Sequence, residues 1–170
     1  MLQKMLFETQ ITRKNISFLH LNNGPARFTA IRNCHALMKG FFFGYKVQII
    51  SYKIFEQYFL GISQSFQKNI LCIIDTNRRD LAIQKLSPQG KLIGKTKTYL
   101  IDDQLIKLLS DDYILMGNGI EKLRKMKDYG FIKKKLMGPI ELKSNYFINN
   151  AYLKKPKRKF PKIIYPYSPV

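Results

Sequence analysis

The chain has 170 residues, two cysteines and a formal charge of +19 at pH 7, from 30 basic and 11 acidic side chains. That length suits one ordinary domain or two small lobes sharing an interface. Two cysteines exclude a disulfide framework and read as reduced thiols, no apolar run is long enough to span a bilayer, and the start lacks the basic-then-apolar pattern of a signal peptide, so the expected compartment is the cytoplasm.

Met1 to Thr9 reads as a helix with Leu2, Met5 and Leu6 on one side. A polar connection follows, and Ile16 to Leu21 then carries the alternating, β-favouring residues of a short strand, broken by Asn22-Asn23-Gly24-Pro25. From Phe28 the residues Phe28, Ile31, His35, Met38 and Phe42 recur at steps of three and four, which predicts a helix to about Phe43, closed by Gly44. Phe41-Phe42-Phe43 cannot all face one core, because successive helical residues point about 100° apart, so part of this aromatic surface is expected to meet a partner. A strand near Val47 to Ile50 and a helix from about Tyr52 to Phe66 complete the first half, α-β-α-β-α, which has few strands for a sheet of its own.

The second half reads as β-β-β-α-β-α. Ile70 to Asp75 and Leu81 to Leu86 are apolar strands, and Ser87-Pro88-Gln89-Gly90 turns into a third over Leu92 to Leu100. Asp102 is placed to cap a helix whose Leu105, Ile106, Leu108 and Leu109 face inward. A parallel strand from Tyr113 to Met116 follows, and Gly117-Asn118-Gly119 opens a helix from Ile120 to Lys127. The division expected from this is 1–67 for a first lobe, 68–150 for a second, and 151–170 for a basic, proline-rich tail, extended and solvated by its own charge repulsion.

Several of these segments carry motifs. Gly24-Pro25-Ala26-Arg27-Phe28-Thr29-Ala30-Ile31-Arg32 resembles the G-P-G-S-F-T-G-[LV]-R signature of the TsaB (YeaZ) family, the dimerisation subunit of the bacterial tRNA threonylcarbamoyladenosine synthase. Lys39-Gly40, Val47-Gln48-Ile49-Ile50-Ser51, Ile73-Ile74-Asp75-Thr76-Asn77-Arg78-Arg79-Asp80, Met116-Gly117-Asn118-Gly119 and Tyr152-Leu153-Lys154-Lys155-Pro156, with Lys159 and Pro161, are similar to later family segments in the same order. Ala26, Arg27, Ala30 and Asn33 stand where the family has small residues, mostly glycine. The chain also begins inside what the family has as its first helix, without the opening hairpin.

The order of elements and the resemblance together lead to an α/β fold of ribonuclease-H-like lobes, as in the actin, hexokinase and Hsp70 superfamily, with the first lobe lacking its opening β-hairpin and the second largely complete. The resemblance implies a non-catalytic scaffold that supports a TsaD-type catalytic subunit in threonylcarbamoylation of tRNA adenosine beside the anticodon. The partner is that subunit in a heterodimer, or a second copy bound through the same helices, with weak electrostatic contact to tRNA and no membrane. The expected interface takes Leu2, Met5 and Leu6 from the first helix and Phe28, Ile31, Arg32, His35, Met38 and Phe42 from the second, with Gly24, Pro25 and Thr29 forming the family turn.

A catalytic constellation is not legible. Asp75, at the end of an apolar strand, is the one candidate acid, and the alternative is a turn carboxylate paired with Arg78 or Arg79. His20 and His35 read as packed residues, and the scattered cysteines and histidines have no metal-ligand spacing, so neither a metal nor a cofactor is expected. The charge leaves two readings, compositional drift and a phosphate-binding surface. The latter makes a basic RNA-binding module the alternative function, with Lys133-Lys134-Lys135 and Lys154 to Lys159 as contacts. A decayed or split gene product without activity is the third reading.

Overall fold

The structure is a computed structural model that describes residues 2–62, 66–125 and 155–163. Helix α1 (Leu2–Glu8) ends where the Thr9 hydroxyl donates to the Met5 carbonyl at 2.8 Å. A short 3-10 turn at Arg13–Asn15 leads into β1 (Phe18–Asn22), and α2 (Phe28–Phe41) follows the Gly24-Pro25 turn. Strand β2 (Gln48–Tyr52) returns parallel to β1, with Leu19 opposite Ile49 and Leu21 opposite Ser51, in a two-stranded sheet.

Helix α3 (Ile54–Leu60) is shorter than its sequence pattern suggests. Tyr52 belongs to β2 rather than to the helix, Glu56 accepts the Lys53 amide at 2.7 Å to fix the start, and Gly61 ends it. Glycine in place of a side chain loses helix propensity at that point, which outweighs the continuing apolar period at Ile62 and Phe66.

The second half forms a four-stranded sheet in the order β5-β4-β3-β6. Strands β3 (Ile70–Asp75), β4 (Asp80–Leu86) and β5 (Leu92–Leu100) make an antiparallel meander, and β6 (Ile114–Met116) runs parallel to β3 after α4 (Asp103–Ser110) crosses over. The expected cap is present, with Asp102 accepting the Leu105 amide at 3.1 Å. Helix α5 (Ile120–Leu123) is assigned over four residues, and positions 126 and 127 of the expected helix lie outside the described residues.

Each face of this sheet has its own core. Leu71, Ile73, Leu81 and Ile83 pack under Leu105 and Leu109 of α4 and Leu123 of α5. On the other face Ile70, Cys72, Ile74 and Ala82 meet Phe55 and Tyr58 of α3. Thus α3, which precedes residue 67 in the chain, contributes to the core of the four-stranded sheet. Between strands, the fully buried Gln84 holds a bulge in β5, its amide donating to the Ile93 carbonyl at 2.8 Å and its carbonyl oxygen accepting from Thr96 at 2.8 Å. Burying a glutamine without such partners costs on the order of 1–3 kcal/mol.

The tail corrects one expectation. Its described part is not a free solvated strand: Lys157 exchanges two backbone hydrogen bonds with Ile49, at 2.7 and 2.8 Å, along the edge of β2. Peptide pairing with an open strand edge and a ring contact at Phe160 compete successfully with the charge repulsion of the lysines.

Two consequences are measurable. Strand β3 has a neighbour on each side, whereas β1 pairs with β2 alone among the described residues. Amides of Ile70 to Ile74 and Leu81 to Leu86 should therefore exchange more slowly than those of Phe18 to Leu21, as followed by hydrogen exchange and mass spectrometry. Equal protection would contradict the difference in pairing.

The second concerns His20, whose ring stacks on Tyr52 at 5.9 Å with an interplanar angle of 13°. Burial lowers its pKa from the ordinary 6.5 because a charged imidazole is desolvated there. The folded state thus binds a proton less readily than the unfolded chain. The resulting stability is fully present above pH 6.5 and is lost as pH falls through the lowered folded value. Thermal melts should show Tm falling over that interval in the native protein, with a flatter profile in His20→Gln.

Candidate functional site

Helix α2 has two apolar sides, and the structure uses them differently. Ile31, His35 and Phe42 are buried within the chain, the first two at 5% and 3% exposure. His35 Nε2 lies 2.8 Å from the Asn22 carbonyl and donates to it, tying the end of β1 to the helix. These three were expected at a partner surface and are instead part of the chain's own packing. Ile31, His35 and Phe42 are thus the inner side of the predicted stripe, while Phe28 at its start is 44% exposed, so periodicity finds the helix but assigns most of its inner face to the outside.

The outward side is a second stripe. Cys34, Leu37, Met38 and Phe41 recur at i, i+3, i+4 and i+7 and face Leu2 and Gln3 of α1 across an open groove of ≈ 450 Å³. Leu37 is 56% exposed, Met5 of α1 is 52% exposed, and Phe7 and Phe43 are almost fully solvated at 84% and 86%. Phe42 and Phe43 diverge in the turn that follows the last helical residue, Phe41. Of the expected interface residues, Leu2 and Met38 line this groove, and Met5 and Leu6 lie on α1. Phe41 belongs to the aromatic run expected to leave surface for a partner, whereas Cys34 and Leu37 are not among the residues expected there, although their spacing is a readable signal.

Arg13, in the 3-10 turn that follows α1, anchors that turn to the end of α2. Its guanidinium donates to the Phe41 carbonyl at 3.1 Å and lies over the rings of Phe41 and Tyr45 at 5.3 and 4.9 Å. A cation at the last turn of α2 meets carbonyls that the helix leaves without internal partners and the negative end of its dipole. At the other end of α2 the Arg32 guanidinium stands 4.9 Å from the Phe28 ring, with both residues exposed. Gly24 and Pro25 are buried, and Thr29 is exposed in the first turn. Asn22 Oδ1 accepts the Gly24 amide at 2.8 Å, and Gly24 itself has φ +105, a value that glycine adopts without steric cost.

Asp75 proves to be engaged elsewhere. Its carboxylate accepts the Asn77 amide at 2.8 Å and Lys122 Nζ at 3.1 Å, while its own amide donates to Asn118 Oδ1 at 3.1 Å. Lys122 also donates to the Arg78 carbonyl. The pairing partner is therefore Lys122 of α5, forty-seven residues on, rather than Arg78 or Arg79. A contact of that separation carries no local sequence signal. The Gly117-Asn118-Gly119 turn serves the same junction: Gly119 donates to the Ile73 carbonyl at 3.0 Å, and a Cβ on Gly117 would lie 2.2 Å from that oxygen. These glycines let backbone meet backbone.

The thiols differ in the same way. Cys72 is fully buried, and burial pushes its pKa well above the ordinary value, leaving it protonated and unreactive. Cys34 is exposed beside the groove. No group of three or more His, Cys, Asp and Glu side chains that could hold a metal occurs among the described residues. Likewise no helix among them is long and apolar enough to cross a membrane. The Lys133-Lys134-Lys135 cluster and Tyr152 to Lys154 lie outside the described residues.

The arrangement defines a mixed α/β protein with a two-stranded parallel sheet, a four-stranded mixed sheet and a helical pair that leaves an apolar groove open. Solved structures share the fold. YeaZ from Pseudomonas aeruginosa superposes with a TM-score of 0.61 at 13% sequence identity, over 90% of this chain and 73% of that one. A second structure, described as an uncharacterized protein with similarity to peptidase YeaZ from Pseudomonas aeruginosa, has a TM-score of 0.59 at 13% identity, over 90% of this chain and 72% of that one. No protein-family model and no curated protein matches the sequence. The chain thus has a YeaZ-like fold.

Proposed function

We propose that the chain is a non-catalytic scaffold, a TsaB-type dimerisation subunit, which presents the α1–α2 face to a TsaD-type catalytic subunit during threonylcarbamoylation of tRNA adenosine beside the anticodon. The observation that carries this reading is the groove. An apolar surface of this kind, with Leu37 of α2 and Met5 of α1 half exposed, suits a helical partner face better than water. The YeaZ-like fold and the ordered motifs of the sequence support the identity of the partner. The strand order β5-β4-β3-β6, with a meander followed by a parallel strand, supports reading the second half as a ribonuclease-H-like lobe.

The engagement of Asp75 by Lys122 and of the glycine turn by Ile73 supports the non-catalytic part, since both features have structural work of their own. The test is co-expression with a TsaD-type subunit followed by size-exclusion chromatography. A co-eluting complex of the two chains is expected. Separate elution at micromolar concentrations would reject the reading.

A further inference from the structure

We infer that residues 155–162 form a docked cationic strap that contacts RNA phosphates, on a side of α2 different from the groove. Five of these eight residues are cations, Lys155, Lys157, Arg158, Lys159 and Lys162, and all five are exposed. None of them pairs with a carboxylate among the described residues. Like charges crowded on one segment repel one another, and a polyanion relieves that repulsion while releasing its own counterions.

The segment is also held, which a merely solvated tail is not. The reciprocal hydrogen bonds between Lys157 and Ile49 fix its backbone to β2. Phe160 turns in to α2, its ring centroid 6.5 Å from His35 at 60°, and Lys39 Nζ lies 5.5 Å over the same ring. Lys39 thereby joins the strap as a further cation. His35 and Lys39 are one turn apart on a side of α2 distinct from that of Cys34, Leu37, Met38 and Phe41, so a protein in the groove and RNA on the strap do not compete for the same side chains. RNA is favoured over an anionic membrane because Phe160, the large apolar side chain of residues 155–162, is spent on α2, leaving none beside the cations to enter a bilayer.

The experiment measures binding of the whole chain to a fluorescently labelled tRNA transcript by anisotropy across a salt series. Replacing Lys155, Lys157, Arg158 and Lys159 together by glutamine should weaken binding and reduce the slope of log K against log salt by about 3, at roughly 0.7 to 0.9 per lost phosphate contact. The same loss of charge at the exposed Lys91, Lys95, Lys97 and Lys107 should leave the slope near its original value. Phe160→Ala, which keeps every charge but frees the strap, should weaken binding several-fold by removing its preorganisation. An equal effect of the two four-site variants would show unspecific attraction by net charge and overturn the proposal. So would an unchanged affinity in Phe160→Ala, or binding to phosphatidylglycerol vesicles without binding to tRNA. Thermal melts of each variant separate loss of binding from loss of fold.

Discussion

Replacing Gly117 by alanine should destabilise the chain more than any surface change, by about 3 kcal/mol or more, through two effects that add. The residue has φ +108, where an L side chain is strained, and an added Cβ would stand 2.2 Å from the Ile73 carbonyl oxygen and 3.0 Å from its carbon. Neither neighbour can yield cheaply, because both belong to the backbone of β3, the strand that pairs with β4 and β6. Relief would require β3 and the β6–α5 turn to separate, breaking the Gly119 hydrogen bond to Ile73 and disturbing the Lys122–Asp75 pair. Thermal or urea unfolding of Gly117→Ala should show this directly. By comparison, Gly40→Ala has open space around the Cβ and sits in a helix, so it should be neutral or slightly stabilising. A Gly117→Ala protein as stable as the native chain would mean that the turn is not packed on β3.

The second large effect concerns α2 and depends on which side of the helix is changed. Leu37→Asp places a carboxylate at a half-exposed position, so the isolated chain should keep its stability to within about 0.5 kcal/mol. In a complex that fills the groove the same carboxylate must be desolvated beside Met38 and Phe41, which should cost at least about 3 kcal/mol, or over a hundredfold in Kd. Phe42→Asp behaves in the opposite order. Phe42 is 7% exposed and packs edge-on against Phe41 at 5.2 Å, so the substitution should lower the stability of the isolated chain by several kcal/mol before any partner is added. Melting curves and titration with the TsaD-type subunit together separate the two. Loss of binding in Leu37→Asp with an unaltered melt is the expected pattern.

Much of the fold was readable because the second half follows simple periods. Strands β3 and β5 have the bounds that their apolar runs and turn residues indicate, and the Asp102 cap is where an acid before an apolar helix should be. Helix α2 was equally plain, but its sides were not. Two apolar stripes on one helix are equivalent in sequence, and only the position of β1 and β2 decides that His35 faces inward and Leu37 outward. What stayed hidden rests on long-range contacts. Lys122 finds Asp75 forty-seven residues away, and Lys157 finds Ile49 across most of the chain. The buried Gln84 gave no warning either, since its partners, the Ile93 carbonyl and the Thr96 hydroxyl, are brought to it by a bulge that no local pattern announces.

The proposed role requires that a partner cover the α1–α2 groove. Hydrogen exchange of the chain with and without the TsaD-type subunit tests that most directly, because it locates the covered backbone without altering a residue. The predicted result is slowed exchange confined to the amides of Leu2 to Leu6 and Cys34 to Phe41, with β4 and β5 unchanged. A complex that forms while these helices exchange as before, and that instead protects β5 or α4, would contradict the assignment.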